Sequence, residues 1–131
     1  MKTPTATTLA DFTEPEVFYF IAQHLLRQLT QSADEGMCRY HFGDLKCAAG
    51  ILFPDAVDTT TYEGHGWDEL VAEGQVPAAH EPLITRLQKI HDRCKTHTWA
   101  TQLQTCAQDY GIPFDIPEIM AREYDWKNRG A

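Results

Sequence analysis

Between Leu83 and Tyr110 the chain carries two successive apolar stripes at helical spacing, separated by a short polar break. Leu83, Leu87, Ile90, His91 and Cys94 fall on one face of a helix, and Trp99, Leu103, Cys106, Ala107 and Tyr110 repeat the same offsets. Two such stripes bury each other only by packing side by side, and a break as short as Thr96 to Thr98 allows only antiparallel neighbours. Gly111 and Pro113 close the second helix.

Two further helices announce their starts. Thr13 and Glu16 have capping-box spacing, Phe12 and Val17 the spacing of a hydrophobic staple, and Pro15 falls in the first turn, where a missing N–H costs nothing. Val17, Phe18, Ile21, Ala22, Leu25 and Leu29 follow, while Phe20 and Leu26 widen the stripe enough to be contacted on more than one side. Gly36 is the expected terminator. Near the other end, Phe114, Asp115, Pro117, Glu118 and Ile119 repeat the arrangement, with Asp115 as cap and Ile116, Ile119, Met120 and Tyr124 facing inward. Trp67 to Glu73 reads as a short helix with Asp68 and Glu69 in its first turn and Gly74 after its end.

The stretch 38–55, C-R-Y-H-F-G-D-L-K-C-A-A-G-I-L-F-P-D, admits two readings. In one it is a β-hairpin turning at Gly43-Asp44, with Phe42 opposite Leu45 and Tyr40 opposite Cys47. Cys38, Tyr40, Phe42, Leu45, Cys47 and Ala49 then share one face. In the other only residues 37–42 are extended, and Asp44 caps a short helix from Leu45 to Phe53 that Pro54 stops. The alanines and glycine, weak strand formers, favour the second. Both readings point the apolar face, and both cysteines, inward.

The fold expected is therefore mainly α: a single compact domain of about five helices, with at most a small β-hairpin or strand pair near residues 37–49. It occupies residues 12–126, between a flexible N-terminal segment, 1–11, and a flexible tail, 127–131.

The central stretch also resembles an uncharacterised group of small phage and bacterial proteins. The matching residues are Cys38, Tyr40, Lys46, Cys47, Ala48, Gly50, Leu52, Pro54 and Asp55. Tyr62-Glu63-Gly64 and Leu87-x-x-Ile90-His91-Asp92 continue the likeness, which covers roughly residues 36–110, with His41 standing where the pattern calls for Arg. The resemblance implies a phage or mobile-element origin and no activity.

Charge narrows the function classes. The chain of 131 residues has a net charge of −8. Nucleic-acid binding driven by phosphate contacts needs the opposite sign, as does adsorption to anionic membranes. No apolar run approaches the roughly 20 residues of a membrane span, and the first residues have no apolar signal core, so a cytoplasmic location is expected. With this much apolar content the four cysteines need form no disulfide framework and are expected reduced.

The candidate sites follow from residue type and spacing. Cys38, His41 and Cys47 could ligate a metal, or Cys47 could act as a nucleophile with His41, His65 or His80 as base. His91, Cys94 and His97 form a second, looser ligand set. Neither set has the close paired spacing of a structural zinc site, and buried structural thiols account for the same cysteines, so no cofactor is expected. Asp55 and Glu63 are the nearest carboxylates for acid–base work, and Arg39 and Lys46 could hold a small anion. No phosphate-binding glycine loop, Gly-x-Ser-x-Gly or His-Glu-x-x-His occurs. The most informative surface feature is a span from Cys47 to Thr85 without Lys or Arg. It carries Asp55, Asp58, Glu63, Asp68, Glu69, Glu73 and Glu81, and Asp55 to Glu73 are the expected binding residues for a basic protein partner. The function expected is that of a small acidic interaction or accessory protein; the alternative is a small enzyme or metal-dependent domain built on Cys38, His41 and Cys47.

Overall fold

The structure, a computed structural model, describes residues 2–126. The expected tail at 127–131 lies outside the described residues. Five α-helices and two minimal hairpins form one mainly α domain: α1 (Glu14–Gln28), β1 (Ala33–Asp34), β2 (Met37–Cys38), β3 (His41–Phe42), β4 (Leu45–Lys46), α2 (Trp67–Ala72), α3 (Glu81–Arg93), α4 (Trp99–Asp109) and α5 (Ile116–Ala121).

α1 is the central element. Its capping box is complete, with the Thr13 hydroxyl accepting the Glu16 N–H at 3.3 Å and the Glu16 carboxylate accepting the Thr13 N–H at 2.8 Å. Every side chain from Val17 to Leu25 is buried, because α3, α4 and α5 pack on different sides of it. The helix stops well before Gly36. Leu29 adopts the left-handed conformation, φ 47°, donates its N–H to Leu25 and turns outward, so it leaves the expected inward stripe.

α3 and α4 pack on each other as their stripes predict: Leu83, Leu87, Ile90, His91, Trp99, Leu103, Cys106 and Ala107 are all buried. In α5 only Ile119 is deeply buried, whereas Ile116 and Met120 face solvent and Asp115 makes no side-chain capping bond. A helix this short presents one narrow line to the core. The N-terminal segment, expected to fray, instead packs. Leu9 and Ala6 are buried, and the Ala6 N–H donates to the Leu52 carbonyl at 2.8 Å.

The central stretch settles between its two readings. β3 and β4 pair as a hairpin across Gly43-Asp44, with Phe42 opposite Leu45 and Gly43 at φ 60°. The expected helix from Leu45 to Phe53 contracts to a 3-10 turn at Gly50–Leu52. The reason is tertiary: Gln28, on the last turn of α1, accepts the Lys46 N–H at 3.1 Å and donates to the Lys46 carbonyl at 2.8 Å, which holds that residue extended. His24 adds a second contact to the same carbonyl at 2.9 Å. Phe42 departs from the expected shared inward face and is exposed, while Tyr40 and Cys47 are buried. An additional hairpin, β1–β2, turns at Glu35-Gly36, both at positive φ, so Gly36 serves a strand turn and not a helix end.

Among the described residues, no helix is long and apolar enough to cross a membrane.

Candidate functional site

Strand β2, the residues flanking the β3–β4 hairpin, the loop before α2 and the C-terminal half of α3 border a half-open pocket of about 250 Å³. Cys38, Tyr40, Cys47, His65, Gln88 and Asp92 line it. Each wall is positioned by backbone chemistry. The Tyr40 hydroxyl donates to the His65 carbonyl at 2.6 Å, and the Cys47 N–H donates to the Tyr40 carbonyl at 3.2 Å. Gln88 accepts the Ala49 N–H at 2.8 Å and donates to Asp92 Oδ1 at 2.7 Å, so one side chain of α3 joins the hairpin exit to the pocket's carboxylate.

Asp92 is anchored from a second side by His91. The Ser32 backbone N–H donates to His91 Nε2 at 2.9 Å, and a backbone N–H can only donate, so that nitrogen is an acceptor. The ring proton therefore sits on Nδ1, which donates to Asp92 Oδ1 at 2.7 Å. Cys38, His91 and Asp92 bring potential ligand atoms within 4.8 Å of one another. A metal would need the Nδ1 lone pair, and the Ser32 contact leaves Nδ1 carrying the proton. The ring serves as a structural strut between the β1–β2 hairpin and α3.

The expected set of Cys38, His41 and Cys47 does not form. Cys38 and Cys47 share the pocket wall, but His41 does not line it. Its Nε2 faces the carbonyls of Gly50 at 2.9 Å and Phe53 at 3.0 Å, which accept only, so Nε2 carries the proton and ties β3 to the 3-10 turn. Cys47 is buried, and its sulfur accepts the Gly50 N–H at 3.2 Å. The looser set of His91, Cys94 and His97 does not gather either; the second cluster of ligand atoms among the described residues is His65, Glu69 and Glu73, all exposed. Of the other two expected bases, His80 contacts the Phe12 carbonyl at 2.7 Å, whereas His65 lines the same pocket as Cys47.

Both thiols are shifted toward the protonated form. Burial, reinforced by the charge of Asp92 and a hydrogen bond to it, pushes the Cys38 thiol up to about 12. Burial pushes Cys47 up as well, against the lowering effect of the Gly50 N–H. A catalytic cysteine needs the opposite shift.

The acidic residues divide into two groups. Glu63 is spent internally: its carboxylate accepts the Tyr40 N–H at 2.7 Å, the His41 N–H at 3.2 Å and the Thr59 hydroxyl at 2.8 Å. Asp55 pairs with Lys46 at 2.5 Å, which also occupies that expected anion-binding lysine. Asp58, Asp68, Glu69 and Glu73 remain on the surface. Asp58 folds an Asx turn onto Thr60, and Glu69 accepts the Gly66 N–H at the start of α2. Arg39 lies 3.8 Å from Asp34 at the pocket's edge.

Sequence reasoning singled out Cys38 and Cys47 but missed Gln88 and Asp92 as their neighbours. The available signal was the polar run Gln88-x-x-His91-Asp92 on the flank of an otherwise apolar stripe. Several residues that carry the resemblance, among them Cys38, Tyr40, Cys47, Gly64 and Asp92, meet at this pocket, with Glu63 and Gly50 bracing it from behind.

Comparison with family models, curated proteins and solved structures gives no match to the chain.

Proposed function

We propose that this chain is a small cytoplasmic interaction protein that acts by binding a basic protein partner through the acidic surface of α2 and the loop before it. The observation that carries the reading is the exposure of Asp58, Asp68, Glu69 and Glu73 on a stretch that contains neither Lys nor Arg. Asp55 and Glu63 drop out of the binding set, because an ion pair and a backbone bracket already use them. Fixed carboxylates of one sign accelerate association with an oppositely charged surface, and salt weakens the effect. An accessory role for a phage or mobile element rests on the resemblance alone. The alternative, an enzyme or metal-dependent domain on Cys38, His41 and Cys47, has less support: His41 points elsewhere and the thiols are held protonated.

The test compares three baits at matched salt: the natural chain, an Asp68→Lys/Glu73→Lys variant, and an Asp115→Lys/Glu123→Lys variant with the same change in net charge on other exposed positions. Glu69 is kept because it caps α2. The reading expects the α2 variant to lose its specific partner and the control to retain it. Equal retention by all three, or equal loss by both variants, means the face contributes only bulk charge.

A further inference from the structure

We infer that a second, apolar pocket, between the N-terminal segment and the loop before α2, receives one aromatic side chain of the basic partner, flanked in that partner by Lys or Arg. This rests on the proposed function and adds the anchor that exposed carboxylates alone do not specify.

The walls come first. Segments 5–7, 52–62 and 75–77 border a half-open pocket of about 230 Å³, and Phe53, Pro54, Val57, Tyr62, Val76 and Pro77 make its surface mostly apolar. Its parts are fixed before any guest arrives. The Phe53 and Tyr62 rings stack with centroids 4.9 Å and planes 8° apart. The Ala6 N–H holds the N-terminal wall on the Leu52 carbonyl, and the Gln75 N–H ties the opposing segment to the Leu70 carbonyl of α2 at 2.9 Å. Preformed walls spare a guest the cost of ordering them. Val57 is 36% exposed and Tyr62 is only partly buried, so apolar surface of the pocket faces water. The volume falls below the roughly 300–1,000 Å³ typical of sites for whole small molecules, which leaves room for one side chain. An aromatic ring buries the most apolar area of any single side chain and packs offset or edge-to-face on a neighbouring ring such as Tyr62.

The rim comes second, and its charge selects what flanks the ring. Asp58 follows Val57 directly, and its Oδ1 accepts the Thr60 N–H at 2.9 Å and the Thr60 hydroxyl at 2.6 Å. Beside another wall the Gln75 amide donates to the Glu73 carboxylate at 2.9 Å. Two carboxylates are thereby held next to the apolar surface, each by a neighbouring side chain. None of the three segments that build the pocket contains Lys or Arg, so no cation of the lining offsets them. Asp58 and Glu73 also belong to the acidic surface of the proposed function, so pocket and surface share one footprint. A desolvated aromatic anchor inside a solvated rim is the common energetic layout of protein interfaces. The carboxylates give that rim the sign that a basic segment complements.

The experiment uses the full chain, labelled for amide NMR, and three capped peptides: Lys-Phe-Lys, Lys-Ala-Lys and Glu-Phe-Glu. The expected result is saturable shifts of the Ala6, Val57, Tyr62 and Val76 amides with Lys-Phe-Lys. Lys-Ala-Lys should bind at least about tenfold more weakly, because it has no ring to bury. Glu-Phe-Glu should bind more weakly too, by a margin that narrows as salt rises. Two variants separate the ring from the charge. Val57→Asn, at an exposed loop position, should weaken Lys-Phe-Lys at least about threefold by making one wall polar. Asp58→Asn/Glu73→Gln keeps the side-chain shapes and the Asx turn, and it should shrink the preference for Lys-Phe-Lys over Glu-Phe-Glu. Equal binding of Lys-Phe-Lys and Lys-Ala-Lys, equal binding of Lys-Phe-Lys and Glu-Phe-Glu, or full binding by Val57→Asn would overturn the inference. So would shifts of the same amides on concentrating the chain alone, which would make a second copy the occupant. Shifts confined to Asp68 and Glu69 refute the pocket and leave the acidic face standing. No shift at either place also overturns the inference, and the three-bait comparison then decides the acidic face separately.

Discussion

Gly50 sits directly against the backbone of Tyr40: a Cβ built on it would overlap the Tyr40 carbonyl oxygen and lie 2.8 Å from the carbonyl carbon. The contact is between two backbone segments, so no flexible side chain can move aside. Gly50 has an ordinary φ, so its requirement for glycine is one of space and not of conformation. The Tyr40 carbonyl also accepts the Cys47 N–H, and Tyr40 forms one wall of the pocket.

The first prediction follows from that approach. Gly50→Ala should destabilise the chain by about 2–3 kcal/mol or more, the upper end of overpacking costs, because the strain falls on backbone. Urea unfolding followed by circular dichroism measures it. Gly74→Ala is the comparison: its added Cβ meets nothing within 4 Å, so its cost should be the smaller one of an alanine at φ 72°.

Glu63 gives a sharper contrast. Three donors, the Tyr40 and His41 amides and the Thr59 hydroxyl, point at its two oxygens. Glutamine has nearly the same shape but offers one acceptor oxygen, and its NH2 would face a donor. Glu63→Gln should therefore lose about 1.5–3 kcal/mol, close to the loss for Glu63→Ala. A measured loss below about 0.5 kcal/mol for the glutamine variant would mean that water replaces the bracket.

These positions show what could be read from the chain and what could not. The Thr13–Glu16 box and the Leu83–Tyr110 stripes were legible because their partners lie within a few residues, where spacing is geometry. The strands of the two hairpins are two residues long, too short for alternation to register, and Gly36 gives the same signal in a hairpin turn as after a helix. The packing of residues 2–11 hangs on contacts such as Ala6 to Leu52, which no local pattern encodes. At the site, Cys47 was legible as an inward residue, whereas Cys38 is only partly buried, and the group beside Cys38 is Asp92, more than fifty residues on, and not the nearby His41. Spacing could nominate His41; only the fold could turn it toward Gly50 and Phe53.

Gln23 anchors the C-terminal part of the described chain. Fully buried on α1, it donates to the carbonyls of Ile119 at 2.7 Å and Arg122 at 2.9 Å, and it accepts the Trp126 indole N–H at 2.9 Å. Trp126 in turn stacks on Phe20 with ring centroids 5.1 Å apart. Gln23→Leu keeps the volume but strands three polar groups. It should cost about 2–4 kcal/mol, within the range for buried groups left unpaired. Hydrogen exchange at the Ile119 and Arg122 amides should accelerate more than exchange in α3, because α5 has little other burial to hold it.

The last prediction concerns Cys38 and alkaline pH. Its thiol is raised from the ordinary 9.0 to about 12, by burial first and by Asp92 second. The sign follows from proton counts. Below pH 9 the thiol is protonated in both folded and unfolded chains, and its contribution to stability is constant. Between about 9 and about 12 the unfolded chain has released the proton while the folded chain still holds it, so the unfolded state binds fewer protons and stability falls as pH rises. Cys47, raised for the same first reason, adds to the fall in the same direction. Unfolding midpoints should therefore decline through this window, and Cys38→Ser, which removes the low-titrating thiolate from the unfolded chain, should decline less steeply. Labelling gives a second measure. At neutral pH iodoacetamide should modify Cys38 more slowly than it modifies an unhindered cysteine peptide, and Cys47 only after unfolding. If Cys38 in the folded chain reacts as fast as the peptide at pH 7, its thiol is not held up by burial and Asp92, and the nucleophile reading returns.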